Sequence, residues 1–384
     1  MKLVVQTQLL PDTATAKVLR ITVERFNAAC NWVAGIAFER QLSNRISLQG
    51  IVYRDVRERF GLSAQMTCLR VRRVCEAYKR DKSIRPEFRK HAAMPFDLRT
   101  MSFKGIDRVS LLTLDGRVVV PLVLGSDQAE RIASPKGRSD LVRRKDGKWF
   151  LLVTVDVPEG MPIPVTDFIG VDLGVKNLAV TDDGTTFSGD GIEACRRRSS
   201  WIRETCQRTG TKSAKRKLRK AGKTEGRFRK DWNHCVAKAI AAKAKDAGSA
   251  IACEDLAGIG ERTTVRKPER NRMKGWAFHQ LRCFLTYKAA LAGVFLLPVD
   301  PRNTSRTCSE CSHCETRNRK SRDEFECRDC GFALPEDHNA ARNIRNRALR
   351  DWADVGQPTV GLDDAGLEPR PRVLTSPQAL AVGH

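Results

Sequence analysis

Cys308-x2-Cys311, fifteen residues, then Cys327-x2-Cys330 is the feature that most constrains what this chain can fold into. Two Cys-x2-Cys pairs at that separation have the two-knuckle spacing of a four-thiolate zinc site, in which each pair supplies two ligands from one turn. Four thiolates close the coordination shell, so such a metal holds a fold together and performs no hydrolysis. Cys314 makes Cys311-x2-Cys314 a competing knuckle, and His313 is a further donor nearby, which leaves the ligand set with alternatives. Gly331 after the second pair suits the tight turn, whereas Ser312 after the first is less accommodating.

The rest of the composition points to the kind of partner. Across 384 residues, 69 Lys plus Arg stand against 45 Asp plus Glu, a net charge of +24. That is far beyond what solubility needs, so a polyanion is the expected partner, nucleic acid first. An anionic membrane would also attract the charge, but no stretch of the length that spans a bilayer is apolar throughout. The start, "MKLVVQTQLLPDTATAK", lacks the long apolar stretch of a secretory signal. The expectation is a soluble intracellular protein with reduced thiols, and the cysteines outside the paired stretch, such as Cys30 and Cys75, read as ordinary packed residues.

Texture along the chain suggests its organisation. "KLVVQTQLL" alternates like a strand; after Pro11 a helical pattern runs through "AKVLRITVERFNAACNWVAGIAFERQL", and a second helical stretch covers about 50 to 80. From about 84 the pattern changes to short β-rich runs, with Asp115-Gly116 and Asp146-Gly147 as hairpin turns. This predicts a β-barrel or sheet with a helical insert over residues 1 to 160. Pro158, Pro162 and Pro164 mark a boundary. Residues 196 to 230 then hold fifteen Lys or Arg and two acidic residues. Such a block is either a solvated helix or arm, or a surface for phosphates without base specificity.

Three carboxylates stand out beyond the boundary. Asp172 lies in the apolar strand "FIGVDLG", where alternation sends it to the face opposite Val171 and Leu173. Glu254 ends the strand-like "AIACEDL", and Asp337 opens the amphipathic helix "DHNAARNIRNRALRDWA". Each has a plain structural alternative: a solvated strand position, a strand terminus, a helix cap. Together they suit two Mg²⁺ ions, which prefer carboxylate and water oxygens and support phosphodiester hydrolysis.

At these residues the chain resembles the TnpB family, RNA-guided nucleases encoded by insertion sequences and related to type V CRISPR effectors. "GVDLGVKNLAV", "IACEDL" and "DHNAARNI" are similar to the three RuvC motifs of that family, and "TSRTCSECS" with "CRDCG" to its inserted zinc ribbon. "MSFKG…VSLLTLDGRVVVPLVLG" and "LVRRKDGKWFLLVTVDVPEG" resemble its wedge region, and "WAFHQLRCFLTYKAALAGVFLLPVDP" the segment before the ribbon. The resemblance covers the chain to about residue 347. It implies a multidomain α+β fold: a wedge β-barrel (1–12 and 83–160) with a helical recognition insert (13–82), then an RNase H-like (RuvC) α/β nuclease domain (165–303 and 334–352) interrupted by a zinc ribbon (304–333). The remainder, 353–384, reads as a disordered tail.

The same resemblance implies Asp172, Glu254 and Asp337 as catalytic residues holding two Mg²⁺, with Mn²⁺ able to substitute, and Cys308, Cys311, Cys327 and Cys330 around one structural Zn²⁺. It further implies a guide RNA from the transposon end, a DNA target beside a short adjacent motif, and the bacterial cytoplasm as the setting; a monomer is the favoured assembly, with the sequence leaving it open. Two departures from the family pattern are Ser312 in place of a glycine and Pro335 in place of an acidic residue two before Asp337. A nuclease-inactive RNA-guided repressor is the alternative, although it would normally have lost one of the three acids. A transposase using a tyrosine nucleophile has no support in the sequence, since Tyr53, Tyr78 and Tyr287 lack the context, and Tyr287 in "LTYKAAL" reads as a packed helix residue.

Overall fold

Alternating residues of Lys2–Leu9 (β1) turn Val5, Thr7 and Leu9 inward, and this strand organises the first half of the chain. The structure, a computed structural model, describes residues 1–132, 135–255, 278–321 and 323–356. They belong to two compact units, Met1–Pro158 and one beginning at Glu159.

In the first unit β1 pairs antiparallel along its whole length with Trp149–Asp156 (β7), from Lys2 opposite Asp156 to Leu9 opposite Trp149, and at its end with Gly116–Val123 (β5). Met94–Phe96 (β2), Met101–Lys104 (β3), Arg108–Thr113 (β4) and Pro135–Arg143 (β6) complete a seven-stranded sheet in the order β2-β6-β7-β1-β5-β4-β3. The two edge strands, β2 and β3, are joined by a turn of only four residues, in which the Asp97 carboxylate accepts from the N–H groups of Arg99 and Thr100. Four residues reach roughly 14 Å at full extension, so the sheet must curl until its edges nearly meet. Gly116 and Gly147, at φ 100° and 86°, make the turns of the β4-β5 and β6-β7 hairpins.

Between β1 and β2 the chain inserts helices Thr13–Glu39 (α1), Arg45–Phe60 (α2) and Ala64–Tyr78 (α3), capped by the side chains of Asp12, Asn44 and Ser63. The helical stretch expected over 50 to 80 is therefore two helices. Gly61 at φ 62° closes α2 in the left-handed region and Ser63 starts α3 two residues later. Phe26, Val33, Met66 and Val71 share one core with Phe96, Leu111 and Val153 of the strands, so the insert is packed into the sheet rather than appended to it. A short helix, Ser126–Ile132 (α4), precedes β6.

The second unit is built on a mixed sheet of Phe168–Asp172 (β8), Asn177–Thr181 (β9), Thr186–Ser188 (β10), Ala250–Glu254 (β11) and Leu296–Val299 (β12), ordered β10-β9-β8-β11-β12. The three central and edge strands β8, β11 and β12 run parallel, while β9 and β10 fold back antiparallel. Helices Asp190–Thr209 (α5) and Lys212–Asp246 (α6) form a hairpin turned at Gly210, φ 65°, and Phe278–Ala292 (α7) leads into β12. Ile169 and Val171 of β8, with Ile251 and Cys253 of β11, pack under Val236, Ile240 and Leu285 of α6 and α7. Phe168, Ala250 and Ala252 face the other way, onto Ile344 and Ala348 of the last helix, Glu336–Gly356 (α8). That helix runs four residues into the stretch expected to be a tail; the rest of it, 357–384, lies outside the described residues. Among the described residues no helix is long and apolar enough to cross a membrane.

Candidate metal centre and carboxylate site

Strand alternation and register bring the first two predicted carboxylates together. β8 and β11 are parallel neighbours paired Ala252 with Gly170 and Cys253 with Val171, so Asp172 and Glu254 follow side by side at the carboxyl ends of their strands. Both lie on the sheet face that α8 covers, because Phe168, Gly170 and Asp172 alternate against Ile169 and Val171. Gly170 sets how close α8 comes: a Cβ there would lie 2.0 Å from the Ala341 carbonyl oxygen and 2.7 Å from the Arg345 nitrogen. Asp337 sits one turn before Ala341, at the start of the same helix.

The charges of these groups report their convergence. Withdrawal from water, then the negative charges of Glu254, Asp337 and Glu336, push the partly buried Asp172 well above the ordinary carboxylate range, with Arg319 pulling it back. Glu254 is buried and raised by that burial, against the opposing hydrogen bond of Thr304, whose hydroxyl donates to Glu254 Oε1 at 2.6 Å. Asn177 donates to Asp337 Oδ2 at 2.8 Å. Glu336, 5% exposed, is lifted by burial to about 7 although the Arg319 guanidinium lies 3.3 Å from its Oε2. Four carboxyl groups thus crowd one low-dielectric place, with Arg319 and Arg347 against them. The donor set fits hard divalent cations, which would offset the mutual repulsion. Sequence reading missed Glu336, Asn177, Thr304 and Arg319. Glu336 had a signal of its own, a second acid in the first turn of an amphipathic helix.

The cysteines form a tighter group. The Sγ atoms of Cys308, Cys311, Cys327 and Cys330 all lie within 4.8 Å of one another, the one such cluster among the described residues. Sulfur separations are 3.7 Å for Cys308 and Cys330 and 3.5 Å for Cys311 and Cys327, near the ~3.8 Å that tetrahedral Zn–S bonds of about 2.3 Å impose. Burial would raise the Cys327 thiol, but the N–H groups of Cys330 and Asp329 and the Cys311 thiol bring it down to about 7. The four residues fit one zinc ion. Cys314 and His313 lie outside the cluster, and His313 Nε2 is 3.4 Å from Glu315.

Each knuckle repeats one backbone design: Ser312 N–H donates to Cys308 O, and Gly331 N–H to Cys327 O. Glu324–Glu326 (β13) and Ala333–Pro335 (β14) pair around the second knuckle, and β14 runs directly into α8. Along one face of α8, Asn339 bonds Ser309 N and Thr307 O, Asn343 bonds the carbonyls of Thr304 and Thr307, and Asn346 bonds Ser309 O. The cysteine module is therefore stitched to the helix that carries Asp337, and Thr304, at the root of the module, holds Glu254.

Two other features lie apart from this site. A cavity of about 630 Å³ lies at the start of β8, lined by Asp167, Asp182, Lys243, His338 and Arg345, and contains none of the carboxylates above. Its charges are largely matched internally, Arg345 with Asp167 and Asp182, Lys243 with Asp183. Tyr287 on α7 has its hydroxyl 3.1 Å from His234 Nδ1, but that imidazole is stacked on Phe284 and burial, with Lys288 and Lys230 near it, holds it down to about 4. The pair packs two helices together and has the single histidine of a structural contact.

Fold and site define a strongly basic two-unit protein in which a four-cysteine metal module borders a carboxylate cluster. Residues 278–344 match the family model described as Cas12f1-like, TNB domain. The chain is 30% identical over 219 residues to the CRISPR-associated endodeoxyribonuclease Cas12f1 of Sulfoacidibacillus thermotolerans, covering 52% of this chain and 50% of that protein. It is 28% identical over 284 residues to InsQ of Escherichia coli strain K12, whose name assigns it provisionally to RNA-guided DNA endonucleases, covering 67% and 69%. It is 29% identical over 133 residues to the TnpB-like protein MJ0751 of Methanocaldococcus jannaschii, covering 34% and 46%. The chain thus spans about half the length of the first and third of these relatives. What the chain is similar to is therefore a group of proteins named Cas12f1, InsQ and TnpB-like.

Proposed function

We propose that this protein is an RNA-guided DNA endonuclease of an insertion sequence, cutting DNA that matches a transposon-derived guide beside a short adjacent motif. In this reading the first unit is the wedge with its helical recognition insert, and the second is an RNase H-like (RuvC) domain interrupted by a zinc ribbon. The cytoplasm of a bacterium is its setting. The observation that carries the reading is the crowding of Asp172, Glu254 and Asp337, drawn from a strand, a neighbouring strand and a distant helix, around one partly buried place. The names of the relatives, which describe endodeoxyribonucleases and RNA-guided endonucleases, point the same way.

Asp172, Glu254 and Asp337 would hold two Mg²⁺, or Mn²⁺ in their place. Bound there, the metal supplies activation of water and charge neutralisation at the leaving oxygen. The chain's own contribution is positional. Thr304 fixes one Glu254 oxygen and Asn177 one Asp337 oxygen, leaving the other oxygens of each carboxylate for cation and water. Sequence choice is delegated to base pairing with the guide, while the protein's excess positive charge holds nucleic acid by its phosphates.

The test is cleavage of a plasmid library carrying a guide-matched target beside randomised flanks, with protein co-expressed with its element's end transcript. Mg²⁺-dependent cutting at one flank motif, lost in Asp172→Ala, is the expected result. Binding of the target without cutting by the wild type would instead establish the nuclease-inactive repressor.

A further inference from the structure

We propose that Trp201, with Arg197 and Arg198, forms a stacking platform on the α5-α6 hairpin for an unpaired stretch of nucleic acid. Trp201 is 64% exposed near the start of the most basic part of the chain. The other large aromatic side chains of this hairpin are used internally: Phe228 and Trp232 pack on each other with centroids 5.6 Å apart, against Gly191. Among the described residues Trp201 has no ring partner, and its indole faces solvent. Exposing that much apolar surface is costly unless something covers it in the working state.

Helical spacing defines what surrounds it. Arg197 and Arg198 precede Trp201 by four and three residues and so lie one turn away on the same face, with Arg208 two turns beyond. Arg197 and Arg198 are exposed and have no carboxylate partner among the described residues. The one acid on this face, Glu204, is bound by Arg208 at 2.9 Å. The buried Ser199 and Cys206 point to the opposite side. An indole flanked by free guanidinium groups, in a block of fifteen cations against two acids, is complementary to a polyanion that also offers flat faces.

A duplex does not offer such faces, since its bases are stacked on each other and its grooves present only their edges. Unpaired nucleotides do. The occupant is therefore a single strand, its base on Trp201 and its phosphates on Arg197 and Arg198. The inference takes only the class of partner from the proposed function. It does not depend on the carboxylates.

The experiment measures binding of the full zinc-loaded chain to a labelled single-stranded oligonucleotide by anisotropy, without Mg²⁺ and with excess unlabelled duplex to occupy sites that need phosphates alone. DNA and RNA strands of one sequence are separate arms, and a labelled duplex is the comparison. Base stacking on an aromatic residue accounts for an affinity factor of about 5 to 150, so Trp201→Ala should weaken single-strand binding within that range in at least one arm. The arm that responds identifies the strand. Trp201→Phe should retain most of the affinity, and duplex binding should be unchanged. Arg197→Gln with Arg198→Gln should lower the salt slope for the single strand by about 1.4, which Trp201→Ala leaves alone. Wild-type single-strand binding by Trp201→Ala, or equal losses for single strand and duplex, would overturn the proposal. Because no cleavage is read, a failure of the nuclease reading would leave this result standing, and the reverse.

Discussion

Ser312 and Gly331 occupy the same position in the two cysteine knuckles, at φ 63° and 72°, where only glycine is free of Cβ strain. Ser312→Gly should stabilise the module by about 0.5–1 kcal/mol, seen as slower zinc loss to a chromophoric chelator; an unchanged rate would mean that the serine turn is unstrained. Asp172 poses the opposite case, a residue whose charge works against its own fold. Burial and then its neighbours' negative charges raise it, so Asp172→Asn should abolish cleavage while raising the Tm of the metal-free protein by ~2–4 °C, about 1 kcal/mol. A lower Tm would show that the carboxylate is needed for structure. At this scale Asp172, Glu254 and Asp337 could be picked out as candidates because each stands at the end or start of an element with a clear apolar pattern. Glu336, Arg319, Thr304 and Asn177 were not, because what they touch is decided by register and by the path of the cysteine module, neither of which local pattern contains.

Gly170 governs the element scale, since it is the point at which β8 and α8 nearly touch. A methyl group there needs α8 to move on the order of 1 Å, the displacement that costs a positioned site roughly a hundredfold in rate. Gly170→Ala should therefore lose about that factor in cleavage with the carboxylates all present, and full activity in this variant, shown by its Tm to be folded, would place the helix elsewhere in solution. Removing zinc acts on the same helix from its other side. Asn339, Asn343 and Asn346 bind the segment that the knuckles shape, so chelation should expose the α8 amides to hydrogen exchange before those of β8 and β11. The strands and hairpin turns could be read from alternation and from Asp-Gly pairs. The break between α2 and α3 could not, because a Gly and a Ser two residues apart inside a helical period are noticed only when their caps are seen.

Over the whole molecule, acid stability is a contest between groups of opposite sign. His234 is held down to about 4, so between pH 6.5 and 4 the unfolded chain binds the proton more tightly, and stability falls as pH falls through that window. With solvent reaching one edge of the ring, this amounts to about 1–2 kcal/mol. Glu336 is lifted to about 7, so between pH 7 and 4.5 it is the folded chain that binds the proton more tightly, and acidification stabilises it when no metal is bound. Asp172 and Glu254, also raised by burial, act in the same direction as Glu336, so with His234 opposing them the Tm of metal-free protein should rise as pH falls from 7 to 5. Each single variant should tilt that profile in its own direction: in His234→Gln, which keeps an acceptor for Tyr287, the rise on acidification should steepen, and in Glu336→Gln it should flatten. Parallel profiles for the two variants would mean that neither group is perturbed as its surroundings require, and that the crowding of acids beside α8 is relieved in solution.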